Sequence, residues 1–460
     1  MISGSLTPER VSASAEPRSR AAIGLTRRGL LLFLAGALWL VPGFFIPRMV
    51  WGMAVWDILV LAAACLDASR LPAPARLRAE RVWRSAPSLE NAAEVEIGLE
   101  QQGVARLRCE LTDDLTAALV DKPPHIDLTV YPLGRSAAKY RFTPRERGDH
   151  RTGSLYLRYR SAALGLVERW AVAPLEQTVR VYPRVHAAAE QSLFLTRSKQ
   201  IELQQRLQRQ RGLGRDFESL REYREGDDIR DLCWTATARR GVPITRQYQT
   251  EKSQPVWLLM DAGRLLQSRV AGQYTRLDYA TATALALAQL ALGSGDRVGL
   301  LAYGQAAQQR VALGRGAAHL RQLMESLAQV RGEWGEADHL QATVTLNRIQ
   351  PRRSLVLWIT DVAETSMRPE VIDGAAQLMR RHLVLLVTMR QREMLALADH
   401  RPESRREMFA VAAAQEMVHR RMVLMAQLRE QGALTLETEP ETLTSAVLNR
   451  YLDVKERGLL

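Results

Sequence analysis

Cysteine is scarce: Cys65, Cys109 and Cys233 are the three in 460 residues. No two of them stand at Cys-x-x-Cys or Cys/His spacing, so neither a disulfide framework nor a zinc site is indicated, and all three read as small buried residues. Lysine is nearly as rare for a chain of net charge +13, with Lys122, Lys139, Lys199, Lys252 and Lys455 its whole supply. The positive charge is arginine, scattered among acids instead of gathered in one block. The footprint of a nucleic-acid binder is therefore weak, and no nucleic-acid partner is expected. Also lacking are His-Glu-x-x-His, Gly-x-Ser-x-Gly and any visible nucleophile-base pairing among the eight histidines. Gly293-Ser294-Gly295-Asp296 is without the Gly-Lys-Ser/Thr ending of a phosphate loop and reads as a turn. Glu222, Glu225, Asp227 and Asp228 form a carboxylate cluster, but interleaved arginines neutralise it for paired acid-base work. The expectation is a protein without enzymatic activity and without a resident cofactor.

What is present fits a folded, multidomain chain. A hydrophobic share of 47% and a charged share of 25% are ordinary for globular proteins, and the length allows two or three domains. Gly29 to Ile46 carries no charge and approaches the roughly 20 apolar residues that cross a bilayer. Met49 to Leu66 follows almost at once, with Pro42, Gly43 and Pro47 suited to the reversal between them, so 29–66 reads as a transmembrane helical hairpin. Trp39, Phe44, Phe45, Trp51 and Trp56 then fall near the far interface. Arg18, Arg20, Arg27 and Arg28 precede the pair and Arg70, Arg76, Arg78, Arg81 and Arg84 follow it. The turn holds only Arg48, so the positive charge lies on the two flanks and places both ends, the tail 1–28 and the soluble bulk, in the cytoplasm, on the inner face of a cytoplasmic membrane. Were the first segment alone to span, the rest would lie outside. Asp57 is the strain on this reading, at about 3 kcal/mol in mid-membrane.

Short alternating runs fill 77–185: VEIGLE at 95–100, VARLRCEL at 104–111, HIDLTVYPL at 125–133, SLYLRYR at 154–160 and QTVRVYPR at 177–184. With proline and glycine breaks between them, they predict a small all-β, sandwich-like domain. Residues 186–253 hold a polar helical stretch and then the segment FESLREYREGDDIRDLCWTATARRGVPITRQYQTE, Phe217 to Glu251. From 254 to 460, apolar runs at 256–261, 297–304, 354–361 and 383–389 alternate with helical stretches at 277–292, 316–330 and 337–349. A short strand at 309–314, another at 433–440 and a last helix complete an α/β domain with a mainly parallel sheet covered on both faces. Sites in such sheets lie at the C-terminal strand ends, where Asp261 and Asp361 fall.

Two aspartates there could hold a hard cation. The order of strands resembles a von Willebrand factor A domain, whose metal-ion-dependent adhesion site begins Asp-x-Ser-x-Ser. This chain reads Asp261-Ala262-Gly263-Arg264-Leu265. Both serines are missing, Glu336-Ala337-Asp338 offers no hydroxyl where a threonine is expected, and Arg264 adds a positive charge. Two readings stay open: a degenerate site in which Asp261 and Asp361 hold Mg2+, and aspartates that cap helices and satisfy loop amides.

Phe217, Leu220, Arg221, Tyr223, Gly226, Asp227, Arg230, Trp234, Ala238 and Arg239 follow a pattern that resembles the domain of unknown function 58 family. RFTPRERGDHRTG at 141–153, VYPR at 181–184 and GDRVGLLAYG at 295–304 are similar to it too. Members join a membrane hairpin, a β-domain and a von Willebrand factor A-like domain, and are commonly encoded beside MoxR-type AAA+ ATPases. The resemblance implies an accessory partner of such an ATPase in assembly, maturation or stress response of other membrane or client proteins. The alternative is a metal-dependent ligand-binding module. From the residues, Phe217, Leu220 and Tyr223 share a helical face, Asp227 caps the next helix, and that helix turns Ile229, Leu232 and Ala236 inward. Arg230 and Trp234 are neighbours on it, and Arg239 and Arg240 sit at its negative end. Arg221, Tyr223, Gly226, Asp227, Arg230, Trp234 and Arg239 thus form either an internal clasp or a partner-docking surface.

Overall fold

The computed structural model describes residues 10–18, 22–184, 216–224, 231–249, 253–270, 274–362 and 370–459. The chain divides into two compact units, Met1–Tyr182 and Pro183–Leu460.

In the first unit the strands are β1 (Arg10–Ser14), β2 (Glu16–Pro17), β3 (Ile23–Leu25), β4 (Leu77–Trp83), β5 (Ala93–Gln101), β6 (Leu107–Asp113), β7 (His125–Val130), β8 (Arg135–Phe142), β9 (Gly148–Thr152), β10 (Leu155–Ser161), β11 (Val167–Ala173) and β12 (Gln177–Val181). One antiparallel sheet runs β1-β4-β5-β8. A second runs β2-β11-β10-β6-β7 with β3 also on β11, and β12 pairs with β9. Alternate residues of β6 and β10 turn inward, and Leu107, Cys109, Leu111, Leu155, Leu157 and Tyr159 meet Val95, Ile97 and Leu99 of β5 in one core. Burial pushes the Cys109 thiol up to about 12, so it packs as an inert apolar group. Residues 10–25, expected within a tail, instead supply three strands. Their runs, RVSAS, EP and IGL, are too short to carry a periodic signal, and pairing with β4 and β11 decides their form.

The apolar segment is helical but not a pair of uniform spans. Helix α1 (Arg27–Ala35) passes through a 3-10 turn at Gly36–Trp39 into α2 (Leu40–Phe45). A further 3-10 turn, Pro47–Met49, leads to α3 (Val50–Arg70). Pro42 cannot donate to the carbonyl four residues back, which accounts for the break in the first segment. Among the described residues, α3 is the helix long and apolar enough to cross a membrane. Its 21 residues rise about 31 Å, matching a hydrocarbon core of about 30 Å. Both ends of the helical segment are fixed to one loop of the β-unit. Thr26 caps α1 and donates from Oγ1 to Gly165 O at 2.7 Å, while Asp67 accepts from Leu166 N at 2.8 Å and Val167 N at 3.1 Å. Trp56 Nε1 donates to Leu32 O at 2.8 Å, and Gly36 packs so closely on Asp57 that a Cβ would not fit. Cys65, expected to be buried, lies exposed on α3.

The second unit has strands β13 (Asp216–Glu222), β14 (Ile244–Gln249), β15 (Pro255–Asp261), β16 (Arg269–Val270), β17 (Tyr274–Thr275), β18 (Arg297–Tyr303), β19 (Ala307–Gly314), β20 (Leu355–Ile359), β21 (Leu383–Met389) and β22 (Leu434–Thr438). Its helices are α4 (Trp234–Arg240), α5 (Arg276–Gly293), α6 (Gly316–Gln329), α7 (His339–Ile349), α8 (Glu370–Met379), α9 (Arg392–Ala398), α10 (Arg405–Glu430) and α11 (Leu443–Glu456). The main sheet has the order β19-β18-β15-β20-β21-β22. All its pairings are parallel except the β18–β19 edge.

Period two along β15 explains the layers. Val256, Leu258 and Met260 face a core with α5, α6 and α11, while Trp257 and Leu259 face another with α7, α8 and α10. The predicted runs at 256–261, 297–304, 309–314, 354–361 and 383–389 all lie on these strands. Gly295 takes φ +86°, so the Gly-Ser-Gly-Asp stretch is the turn expected of it. Asp296 beyond that turn is wholly buried and accepts from Lys455 Nζ at 2.7 Å and from the Tyr451 hydroxyl, fastening α11 to the start of β18.

The predicted helical stretch in 187–211 falls outside the described residues.

Candidate functional site

Two places concentrate polar residues in the second unit. The first is the C-terminal end of the parallel strands. Asp261 closes β15 and Asp361 follows β20, its neighbour in the sheet, so both aspartates reach the same end, as expected from sequence. Neither caps a helix: Thr275 caps α5 in a reciprocal box with Asp278, and Asp338 caps α7. They do satisfy loop amides. Asp261 accepts from Gly263 N at 2.7 Å and from Thr360 Oγ1 at 2.7 Å, and Asp361 accepts from Val362 N at 2.9 Å. The hydroxyl missing from the 336–338 loop is thus supplied next door, by Thr360.

Two arginines complete this centre, and neither was singled out in the sequence. Arg276 Nη1 donates to Asp361 Oδ2 at 2.6 Å, and Arg421 Nη1 donates to Asp361 Oδ1 at 2.7 Å. Arg421 also donates to Glu437 Oε1 at 2.7 Å and Met389 O at 3.1 Å. A signal for Arg276 existed. It is the first residue of α5, where the helix dipole disfavours a cation, so a compensating carboxylate is required. Arg421 lies mid-helix in α10, with no local pattern to separate it from other arginines.

Burial pushes the Asp261 carboxyl above its ordinary value. His339, the Gly263 amide and the Thr360 hydroxyl oppose that shift. Beside it, Trp358 Nε1 donates to the Tyr303 hydroxyl at 2.7 Å, and that hydroxyl bonds His339 Nδ1 at 2.9 Å.

A resident cation does not fit this donor set. Both Asp361 oxygens are taken by guanidinium groups, and both Asp261 oxygens by neutral donors. Among the described residues no group of three or more His, Cys, Asp or Glu side chains is placed to hold a metal ion.

The second place is the signature segment. The expected shared helical face of Phe217, Leu220 and Tyr223 is not formed. Asp216–Glu222 is strand β13, paired antiparallel with β14 across a register shift between Phe217 and Ser219. Spacing by three suits a helix, but β14 is rich in β-branched and aromatic residues, and cross-strand pairing with it overrides the local pattern. Helix α4 begins only at Trp234, with Cys233 and not Asp227 at its N-cap, so Arg230 and Trp234 are not neighbours on it. Leu232 bridges to Thr245 of β14 and Ala236 is half-buried, so no inward face is built by them. Gly226, Asp227, Ile229 and Arg230 lie outside the described residues. Arg239 and Arg240 do occupy the last turn of α4, and Gly241 closes it at φ +69°. Helix α4 buries none of its residues, and Trp234 is 69% exposed. Leu220 and Val242 are exposed nearby in the chain, and Arg239 is exposed on the helix; Tyr223 and Arg221 are half-buried. In the other family-like stretches, Asp149 pairs with Arg180 at 2.6 Å, and the Arg184 guanidinium lies 4.1 Å from the Tyr274 ring centroid.

The chain therefore joins an antiparallel β-unit bearing a membrane-length helix to a doubly wound α/β unit with a polar strand end at which Asp261 and Asp361 are both hydrogen-bonded. Residues 219–423 match the family described as "Protein of unknown function DUF58", the family that the signature residues resemble. Uncharacterized proteins of Mycobacterium tuberculosis and Mycobacterium bovis are 31% identical over 152 residues, 33% of this chain and 48% of each relative. The chain thus spans about half the length of the curated relatives it matches. Three solved structures are similar at low identity. An aerotolerance-related membrane protein from Bacteroides fragilis is 11% identical, with 44% of this chain and 99% of that one covered and a TM-score of 0.27. BatB from Bacteroides thetaiotaomicron is 12% identical, with 45% and 100% covered and a TM-score of 0.30. The von Willebrand factor domain of the pili tip protein Mfa5 from Porphyromonas gingivalis is 9% identical, with 46% and 98% covered and a TM-score of 0.32. At these scores the fold rests on its own sheet order, not on the neighbours.

Proposed function

We propose that the chain is a membrane-anchored, non-catalytic interaction factor whose docking surface is the signature segment around Trp234. The observation that carries this is α4 itself, a helix that buries none of its residues, opens on a tryptophan 69% exposed and ends on the exposed Arg239 and Arg240. A clasp would have its tryptophan inside. An exposed indole on a short helix that also carries exposed arginines is the kind of anchor that dominates interface energies. The partner, by family resemblance, is a MoxR-type AAA+ ATPase, and its docking would serve assembly or maturation of client proteins.

The anchor is read as a hairpin of two membrane passages. Thr26 before α1 and Asp67 near the end of α3 bind the same loop, Gly165–Val167, which supports both ends lying on one side of the bilayer. Arginine flanks argue that this side is cytoplasmic. The β-unit is read as a sandwich of its two larger sheets, and the α/β unit as a von Willebrand factor A-like domain. The alternative of a metal-dependent ligand-binding module is disfavoured because Asp361 already holds two arginines and both oxygens of Asp261 accept from neutral donors.

The test is the affinity of the full-length protein in mild detergent for a purified MoxR-type AAA+ ATPase. Trp234→Ala is expected to weaken binding about 30-fold, the loss of an anchor worth about 2 kcal/mol. Equal affinities of wild type and variant, with both folded, would return the segment to a clasp, and no association at all would remove the ATPase from the proposal.

A further inference from the structure

Two carboxylates at neighbouring strand ends of a parallel sheet are a place that draws a hard cation. Here the positive charge comes from the chain. Arg276 and Arg421 each place a guanidinium nitrogen on Asp361, at 2.6 Å and 2.7 Å, one on either carboxylate oxygen. Arg421 reaches on to Glu437 at 2.7 Å. Asp361 is 1% exposed, and the arginines are 6% and 7% exposed. Charges so far from water are kept only when paired and hydrogen-bonded, and these are. The two guanidinium groups together carry the charge of one divalent ion. A metal arriving at Asp361 would meet two cations, one on each oxygen of that carboxylate.

We propose that Arg276 and Arg421 take the place of a divalent cation at these strand ends, making this end of the α/β unit metal-independent. The substitution does structural work that a metal would do. Arg276 opens α5, Arg421 lies within α10, and Glu437 lies on β22, so four elements meet at Asp361 through bonds that no chelator removes. A partner met at this end binds side chains, not a bridging metal, and magnesium cannot switch it.

The experiment uses the full-length protein in detergent, treated with EDTA and exchanged into metal-free buffer. It is titrated with MgCl2 and with MnCl2 by calorimetry, and its thermal midpoint is followed with and without each metal. The expected result is no saturable heat at millimolar metal and a midpoint unmoved by metal or EDTA. Saturable binding, or a midpoint that rises with metal, overturns the proposal. Asp361→Asn sharpens it by leaving two buried guanidinium groups without their carboxylate. Its midpoint should fall by roughly 10 °C, equally with and without MgCl2. A fall confined to the MgCl2 samples would mean that Asp361 serves a metal, and would overturn the proposal as well. Should the variant not fold, the wild-type titrations decide the matter.

Discussion

The strand-end cluster and the signature segment draw on the same residue types, arginine, acid and tryptophan, and use them in opposite ways. At the strand ends Asp361 is held by Arg276 and Arg421 and Trp358 is wholly buried, with its indole nitrogen bonded to Tyr303. On α4 the tryptophan faces water and the arginines of the last turn are exposed. In the first setting polar groups set geometry, because leaving any one unpaired in a low-dielectric interior is expensive. In the second they cost the fold almost nothing and stay available for another surface. A motif rich in arginine and tryptophan is therefore not by itself evidence of a clasp or of a docking site. Burial decides which it is.

The largest expected effect extends the buried half of this comparison to the other unit. Arg81, fully buried, pairs with Asp113 and donates to Thr152 Oγ1 at 2.8 Å and Leu175 O at 2.7 Å, while the Tyr140 hydroxyl donates to Asp113 at 2.5 Å. Arg81→Met strands Asp113 and should cost about 3–5 kcal/mol, read by chemical denaturation. A cost below about 1 kcal/mol, the range of exposed pairs, would break the rule that burial sets the price of these ions.

A smaller effect comes from pH. His382 is 4% exposed and bonded through Nδ1 to Ser354 Oγ and through Nε2 to Asn347 Oδ1, and burial, aided by Arg381, lowers its pKa from 6.5 to about 4. The unfolded chain takes up this proton first on acidification. Its contribution is therefore complete above about pH 6.5 and lost as pH falls towards 4, up to about 3 kcal/mol. His382→Gln should flatten that part of the stability profile, and an unchanged slope would show that His382 does not titrate as its burial requires.

The smallest effect sharpens the contrast. Trp234→Ala should change stability by less than about 0.5 kcal/mol, as for other exposed positions, even though it is the variant expected to weaken partner binding most. A loss of several kcal/mol in a denaturant titration would show the indole to be packed after all.

Legibility followed apolar content. The runs 256–261, 297–304, 354–361 and 383–389 were readable as buried parallel strands because both faces of each are covered. The strand-end position of Asp261 and Asp361 followed from them. Strands β1–β3 were not readable, since they carry polar or short segments that pairing alone organises. The helical face assigned to Phe217, Leu220 and Tyr223 failed for a related reason: a bulged strand also brings such residues into irregular register, and only β14 distinguishes the two. Helix α10, 26 residues long, went unassigned although Ser404 and Glu407 mark its start, and with it Arg421 was missed.

Local periodicity and short spacing carry the apolar segment near the N-terminus, the β-then-α/β order, the two strand-end aspartates and the DUF58-like signature, so these could be read before any folding. Tertiary structure alone decided that Asp361 would take its charge from Arg276, 85 positions away, and Arg421, 60 positions away, and that Trp234 would stay in water. Pairing and burial between residues so far apart depend on which helices pack over which strand ends, and no local pattern encodes that.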